Sequence, residues 1–204
     1  MSPLFSSLFA GLIVFGASAF AGDFVLTVNG QKVEVDLDRE APFVLDDGTK
    51  LNVKLEQKEY LTFKLNGVQF EYHKSQLPAV SDLGDGVTQT LMSTALGTGI
   101  LIQTYEGIDP SSLIDLMINE LTGEEVNYGY SLEKQKTRRK VGDQVLTGAI
   151  ATTKNVGEEW IREVVACGNE DKGILIVTFI EGDSTTEDKK VLDRFWKTLQ
   201  LAGF

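Results

Sequence analysis

The sequence predicts an α+β fold: an antiparallel sheet with an N-terminal β-meander, one central helix and one C-terminal amphipathic helix. Three observations predict it. Apolar and polar residues alternate between short turn signals over much of the chain, which is strand period. Helical period occurs in two segments, near residues 110–123 and 184–199. The strands do not alternate with helices in the βαβ manner of a parallel sheet, so helices packed on an antiparallel sheet are expected.

Ahead of the first strand, residues 1–21 (MSPLFSSLFAGLIVFGASAFA) contain no charged side chain. The apolar run at residues 8–15 has the length of a secretory core, and Ala17, Ala19 and Ala21 give the small-residue spacing that precedes cleavage. A signal peptide over residues 1–21, cut before Gly22, is therefore expected. An uncleaved anchor is the alternative, since a span wants about 20 apolar residues. Lipoprotein attachment at the mature N-terminus is excluded because it requires a cysteine at the cleavage point and the only cysteine is Cys167.

Three hairpins follow. Phe24, Leu26 and Val28 alternate up to Asn29-Gly30, and Val33, Val35 and Leu37 resume beyond it. Asp47-Gly48 precedes Leu51, Val53 and Leu55, and Asn66-Gly67 separates Leu61, Phe63 and Leu65 from Val68, Phe70 and Tyr72. Asn-Gly and Asp-Gly suit tight hairpin turns because both positions need positive φ. Residues 81–107 read as a loop, with DLGDG as turn chemistry, followed by a strand through Ile100, Ile102 and Thr104. Asp109-Pro110 then opens the central helix, Asp as the cap and Pro preorganised for the first turn. Leu113, Ile114, Met117, Ile118 and Leu121 share one face, and Gly123 is expected to end it. Strands at 128–140, 144–153, 160–167 and 174–180 form two more hairpins. Ser184 and Glu187 have capping-box spacing and introduce the last helix, whose stripe is Val191, Leu192, Phe195, Trp196 and Leu199.

The expected organisation is a signal peptide (1–21), an N-terminal hairpin region (22–75) and an α+β sandwich domain (76–204) packed with it as one globular unit. The Pro, Ser and Gly cluster at residues 75–86 is the best candidate boundary. The element order from about Tyr60 to Leu201 resembles the PsbP-like superfamily of α/β/α sandwich domains. That resemblance covers about two thirds of the chain and rests on element order, so no functional residue carries over. It implies a sandwich fold and a binding or accessory role, as in photosystem assembly subunits and exported bacterial proteins.

Composition restricts partners. All 30 acidic and 19 basic residues follow residue 21, so the mature chain keeps a net charge of -11. Nucleic acid and anionic membranes reward positive charge and are disfavoured as main partners. A single cysteine forms no internal disulfide, and an exported chain of this size without one fits a periplasm or a similar secreted setting. A monomer without stable membrane insertion is expected.

Catalytic motifs are sparse. His73 and Cys167 are the one conceivable nucleophile and base pair, but both lie in strand pattern and read as core or edge residues. Four-ligand zinc chemistry lacks the residues, and no cofactor is implied. Asp82 and Asp85, or Asn169, Glu170 and Asp171, have oxygen atoms but no spaced calcium loop, and turn preference explains them. LGTGI at residues 96–100 lacks a phosphate-binding fingerprint. Carboxylate hydrolysis through Glu124 and Glu125, or Asp82 and Asp85, is the enzymatic alternative. Trp160 and Trp196 read as core residues.

The sharpest local feature is EKQKTRRK at residues 133–140. On a strand, Lys134, Lys136, Arg138 and Lys140 project to one face. The functional expectation is a basic stripe that receives a small anionic ligand or an acidic protein surface. A charged edge that discourages strand pairing is the competing explanation. The overall expectation is an exported, non-enzymatic binding or accessory module, with an exported carboxylate-dependent hydrolase or a structural envelope protein as the alternatives.

Overall fold

The computed structural model describes residues 23–204; the expected signal peptide lies outside the described residues. Among the described residues no helix is long and apolar enough to cross a membrane. The described residues form two compact units, divided between Gln57 and Lys58.

In the first unit, β1 (Phe24–Val28) pairs with β2 (Gln31–Val35), and β3 (Glu40–Val44) with β4 (Lys50–Lys54), both antiparallel. Each pair is a separate two-stranded sheet. Leu37 makes a single parallel bridge to Leu55. The third expected hairpin, β5 (Tyr60–Leu65) and β6 (Val68–His73), belongs to the second unit, where it adds β14 (Gln200–Leu201). The three hairpins form, Asn29-Gly30 and Asn66-Gly67 with positive φ at both positions and the second through the longer loop 45–49, in which Gly48 but not Asp47 has positive φ, but they do not join into one continuous meander. The division falls after Gln57 rather than near Ser75. The reason is tertiary: Val68 and Phe70 of β6 are buried in the core of the second unit.

That unit is organised by a seven-stranded antiparallel sheet in the order β10-β11-β12-β13-β9-β8-β7. Its strands are β7 (Ala79–Gly84), β8 (Val87–Ser93), β9 (Gly99–Glu106), β10 (Ser131–Val141), β11 (Gln144–Asn155), β12 (Glu158–Gly168) and β13 (Lys172–Glu181). Central β13 is buried from Gly173 to Thr178, and its continuous apolar run GILIV suits a strand covered on both faces. Alternation along β12 then divides two cores. Val164 and Ala166 meet the first helix, whereas Val165 and Cys167 meet the last helix and the β5 and β6 hairpin.

The expected loop near residues 81–93 is strand. Asp85-Gly86 is indeed a turn, with φ of 50° and 76°, but β7 and β8 flank it. All six residues of β7 are exposed, so no buried face imposes an apolar alternation that sequence could display.

Asp109 caps a short 3-10 turn, Pro110–Leu113, by accepting a hydrogen bond from Ser111 N at 2.9 Å. This turn seats on β13 at Gly173. A Cβ there would stand 2.0 Å from Pro110 Cδ and 2.7 Å from the Ile108 carbonyl, so only glycine permits the approach. Helix α1 (Ile114–Asn127) continues beyond Gly123. One helical glycine costs only about 1 kcal/mol relative to alanine, and the turn that follows it is held by Glu125, which reaches Arg162 of β12.

Helix α2 (Thr186–Thr198) starts one residue later than the Ser184 box predicts. Thr185 is the cap, its Oγ1 accepting from Asp188 N at 3.2 Å. Asp188, only 4% exposed, accepts from Thr185 Oγ1 at 2.5 Å and from Thr94 Oγ1 at 2.8 Å. Thr94 belongs to the turn between β8 and β9, so a tertiary partner selects Asp188. Glu187 instead pairs with Lys190 at the surface.

The Thr185 hydroxyl, and secondarily Thr94, hold the Asp188 carboxyl below its ordinary value of 3.8, more than offsetting its burial. The folded state then binds fewer protons than the unfolded one, so this stabilisation is complete above about pH 3.8 and is lost as pH falls through the lower folded value. Asp188→Asn should cost on the order of 1 kcal/mol at pH 7. Its deficit against the parent should shrink below pH 4, which urea titrations at pH 7 and pH 2.5 would measure. An unchanged deficit at pH 2.5 would exclude this origin.

Candidate functional site

Lys134, Lys136, Arg138 and Lys140 lie at alternate positions of β10, one of the two edges of the seven-stranded sheet, and all four are exposed. Their pairing partners across the ladder are Ala151, Ala149, Thr147 and Val145. These are small or uncharged, so no acid stands directly opposite. Lys134 Nζ donates to Asn119 Oδ1 of α1 at 3.2 Å, which places the stripe on the α1 face of the sheet. Among the described residues, the ion pairs include none of these four cations. At two-residue spacing they extend about 20 Å. Lys136 and Arg138 also border a shallow depression with Thr147 and Gly148.

Arg139, the intervening residue, projects to the opposite face. Its Nε donates to Glu163 Oε1 at 2.9 Å and its Nη2 to Glu163 Oε2 at 2.7 Å, and Thr137 Oγ1 adds a 3.1 Å bond to Glu163 Oε1. The guanidinium carbon lies 4.7 Å from the centre of the Trp196 ring. The EKQKTRRK segment is therefore two-sided: a solvated basic row on one face and a single anchored arginine on the other. Sequence reading missed Arg139 because period two alone assigns it to the other row without naming its partners. The adjacent Thr137, on the same side, was the only local hint.

A second arginine is locked under α1. Arg162, only 8% exposed, donates through Nη1 to Glu125 Oε2 and to Thr153 Oγ1, each at 2.9 Å, and through Nη2 to Glu125 Oε1. Thr153 Oγ1 in turn donates to Glu125. Glu125, one of the carboxylates considered for hydrolysis, is thus a structural counter-ion, while its neighbour Glu124 is exposed.

The remaining candidates are separated. His73 Nδ1 shares a 2.7 Å hydrogen bond with Ser75 Oγ, and its ring meets Tyr60 edge-on at 5.6 Å. Cys167 lies on β12 opposite Ile174, and burial, with a smaller contribution from the charge of Asp109, pushes its thiol pKa up. That is the reverse of nucleophile activation. Asp82 Oδ1 accepts from Gly84 N, and Asn169 Oδ1 accepts from Asp171 N and Lys172 N, as turn-forming side chains do. Among the described residues no cluster of three or more His, Cys, Asp or Glu side chains could hold a metal ion. A cleft of about 260 Å³ beside His73 is bordered by Tyr60, Glu71 and Arg194. Arg194 stacks 3.6 Å from the Tyr60 ring centre and donates to Glu71 at 2.7 Å, so its charge is already engaged. Trp160 and Trp196 are both only half-buried. Trp160 packs on Gly97 and Arg162, whereas Trp196 packs against the core beside Phe195, as expected, and its outer side borders an open groove beside Arg139.

No family model matches this chain, and no curated protein matches it. Among solved structures, one from Bacteroides thetaiotaomicron VPI-5482, a crystal structure at 1.50 Å resolution, is similar over 72% of this chain at 13% identity with a TM-score of 0.41. The chain spans 50% of that protein's length.

Proposed function

We propose that this protein is an exported, periplasmic or secreted binding module of the PsbP-like type. It works without catalysis or a resident cofactor, and it engages an acidic protein surface through β10. The observation that carries this reading is the row of Lys134, Lys136, Arg138 and Lys140, four exposed cations outside the ion pairs on one face of a sheet edge. In a chain of net charge -11, the overall field repels an acidic partner. A local row of unpaired cations therefore selects the docking orientation and accelerates encounter. The module acts as a monomer and is released from the membrane after removal of residues 1–21.

Changing Lys134, Lys136 and Arg138 together to Glu should leave unfolding nearly unchanged, because exposed substitutions move stability by about 0.5 kcal/mol or less. It should abolish partner capture in a pull-down of the tagged mature protein from its native envelope, followed by mass spectrometry. Capture by the parent should also weaken as salt rises, since exposed charges are screened over about 10 Å at 0.1 M. An identical partner list from the parent and the triple variant would overturn the proposal.

A further inference from the structure

The reverse face of β10 borders a groove that the basic row does not use. Helix α2 lies over β9 and β13 of the seven-stranded sheet and against β6 of the three-stranded one. On the larger sheet, Ile150 of β11, Ile161 of β12 and Ile180 of β13 are only half-buried, and they line a cavity of about 290 Å³ whose helical wall is Leu192 and Trp196. Ile161 and Ile180 are direct cross-strand partners, and Ile150 stands opposite Glu163. The result is an apolar floor that ends at a charged group.

That group is Arg139, whose side chain is 43% exposed and faces the groove with its orientation fixed. Glu163, with a side chain 7% exposed, has its oxygens occupied by Arg139 and Thr137. It therefore acts on Arg139 as an internal clamp, holding one edge of the guanidinium while Trp196 supports its plane. A guanidinium carries five N–H donors in a fixed fork. Here Nε and Nη2 face Glu163, and Nη1 has no partner among the described residues. Lys189 at the rim is likewise outside the ion pairs of the described residues, and Asp193 is the opposing charge there. The lining charges balance overall, so selectivity comes from short-range geometry. A planar fork with a free edge above an apolar floor matches a carboxylate that carries an apolar tail.

We infer that this groove binds a small monocarboxylate with an apolar tail, its carboxylate on Nη1 of Arg139, its tail over Ile150, Ile161 and Ile180, and the charge of Lys189 on the same lining favouring an anion. The site is independent of the basic row on the other face of β10, so either assignment can fail without the other.

Calorimetric titration of the mature chain with octanoate, octylammonium and octanol tests it. Octanoate should bind saturably at one site, and octylammonium at least about tenfold more weakly, the value of one charge-assisted hydrogen bond. Arg139→Lys keeps the charge beside Glu163 but loses the fork, and should weaken octanoate about tenfold. Lys189→Glu, an exposed change that folding tolerates, should weaken it severalfold, and Asp193→Asn should strengthen it. Quenching of Trp196 fluorescence in a Trp160→Phe background should follow the same order. Absence of octanoate binding, equal binding of octylammonium, or octanoate binding undiminished by Lys189→Glu would each overturn the inference.

Discussion

Glu125→Ala is expected to destabilise the second unit by roughly 3 kcal/mol, the low end of the cost of breaking a buried ion pair. The low end applies because Glu125 keeps 23% of its side chain exposed, against 10% for Arg162. Removing the carboxylate leaves the Arg162 guanidinium beneath α1 with Thr153 as its remaining hydrogen-bond partner among the described residues, and that desolvated charge is the main penalty. For a domain of this size the melting temperature should fall by about 6 to 12 °C. Replacing both members by apolar residues, Glu125→Leu with Arg162→Met, should recover most of the loss, since the unpaired charge disappears with its partner. Thermal unfolding of the parent, the single and the double variant decides the matter. An unaltered melting temperature in Glu125→Ala would deny the pair its role in fastening α1 to β12. The same variant bears on chemistry, because a structural counter-ion predicts a loss of stability whether or not any hydrolysis is assayed.

Phe195→Ala should cost more, about 4 kcal/mol, within the range for large aromatic truncations in a core. Phe195 has 0% exposure, and its ring sits 5.1 Å from Phe70 and 5.0 Å from Trp196. Phe70 stacks in turn on Phe63 at 4.9 Å. The side chain therefore ties α2 to the β5 and β6 hairpin, and its loss opens a cavity between two elements that cannot collapse without moving the helix. Phe195→Leu should lose less than half as much, because a branched aliphatic refills most of the volume. Urea unfolding followed by circular dichroism measures both. A cost below about 1 kcal/mol for the alanine variant, a value typical of surface sites, would show that α2 is held by its rim contacts instead.

These two positions illustrate how unevenly the fold can be read from the chain. Phe195 announces itself: it lies on a stripe with Val191, Leu192 and Leu199 at helical spacing, so its burial follows from period alone. Glu125 does not. It sits after a glycine that reads as a helix end, and the residue that extends the helix past it, Arg162, is 37 positions away. The cap of α2 shows the same limit on a finer scale. Ser184 and Thr185 are equivalent by composition, and the choice fell on Thr185 because Asp188 could also reach Thr94, 94 residues earlier. The β7 edge shows it once more, since a strand exposed on both faces leaves no alternation to detect.

The candidate sites divide along the same line. The basic row was legible because side-chain direction on a strand has period two, which needs no knowledge of neighbours. The Arg139 groove was not, because it assembles one residue of β10, three isoleucines from different strands and four side chains of α2.

By itself, the sequence determined the turns, the strand and helix periods, the absence of a disulfide and the acidic charge. Each depends on residues within a few positions of one another, or on composition. The tertiary structure alone decided the strand order, the division after Gln57, the extension of α1, the shifted cap and the two anchored arginines. Those depend on which distant groups desolvate one another, and a buried charge is tolerated only where its partner has already been brought within hydrogen-bonding reach.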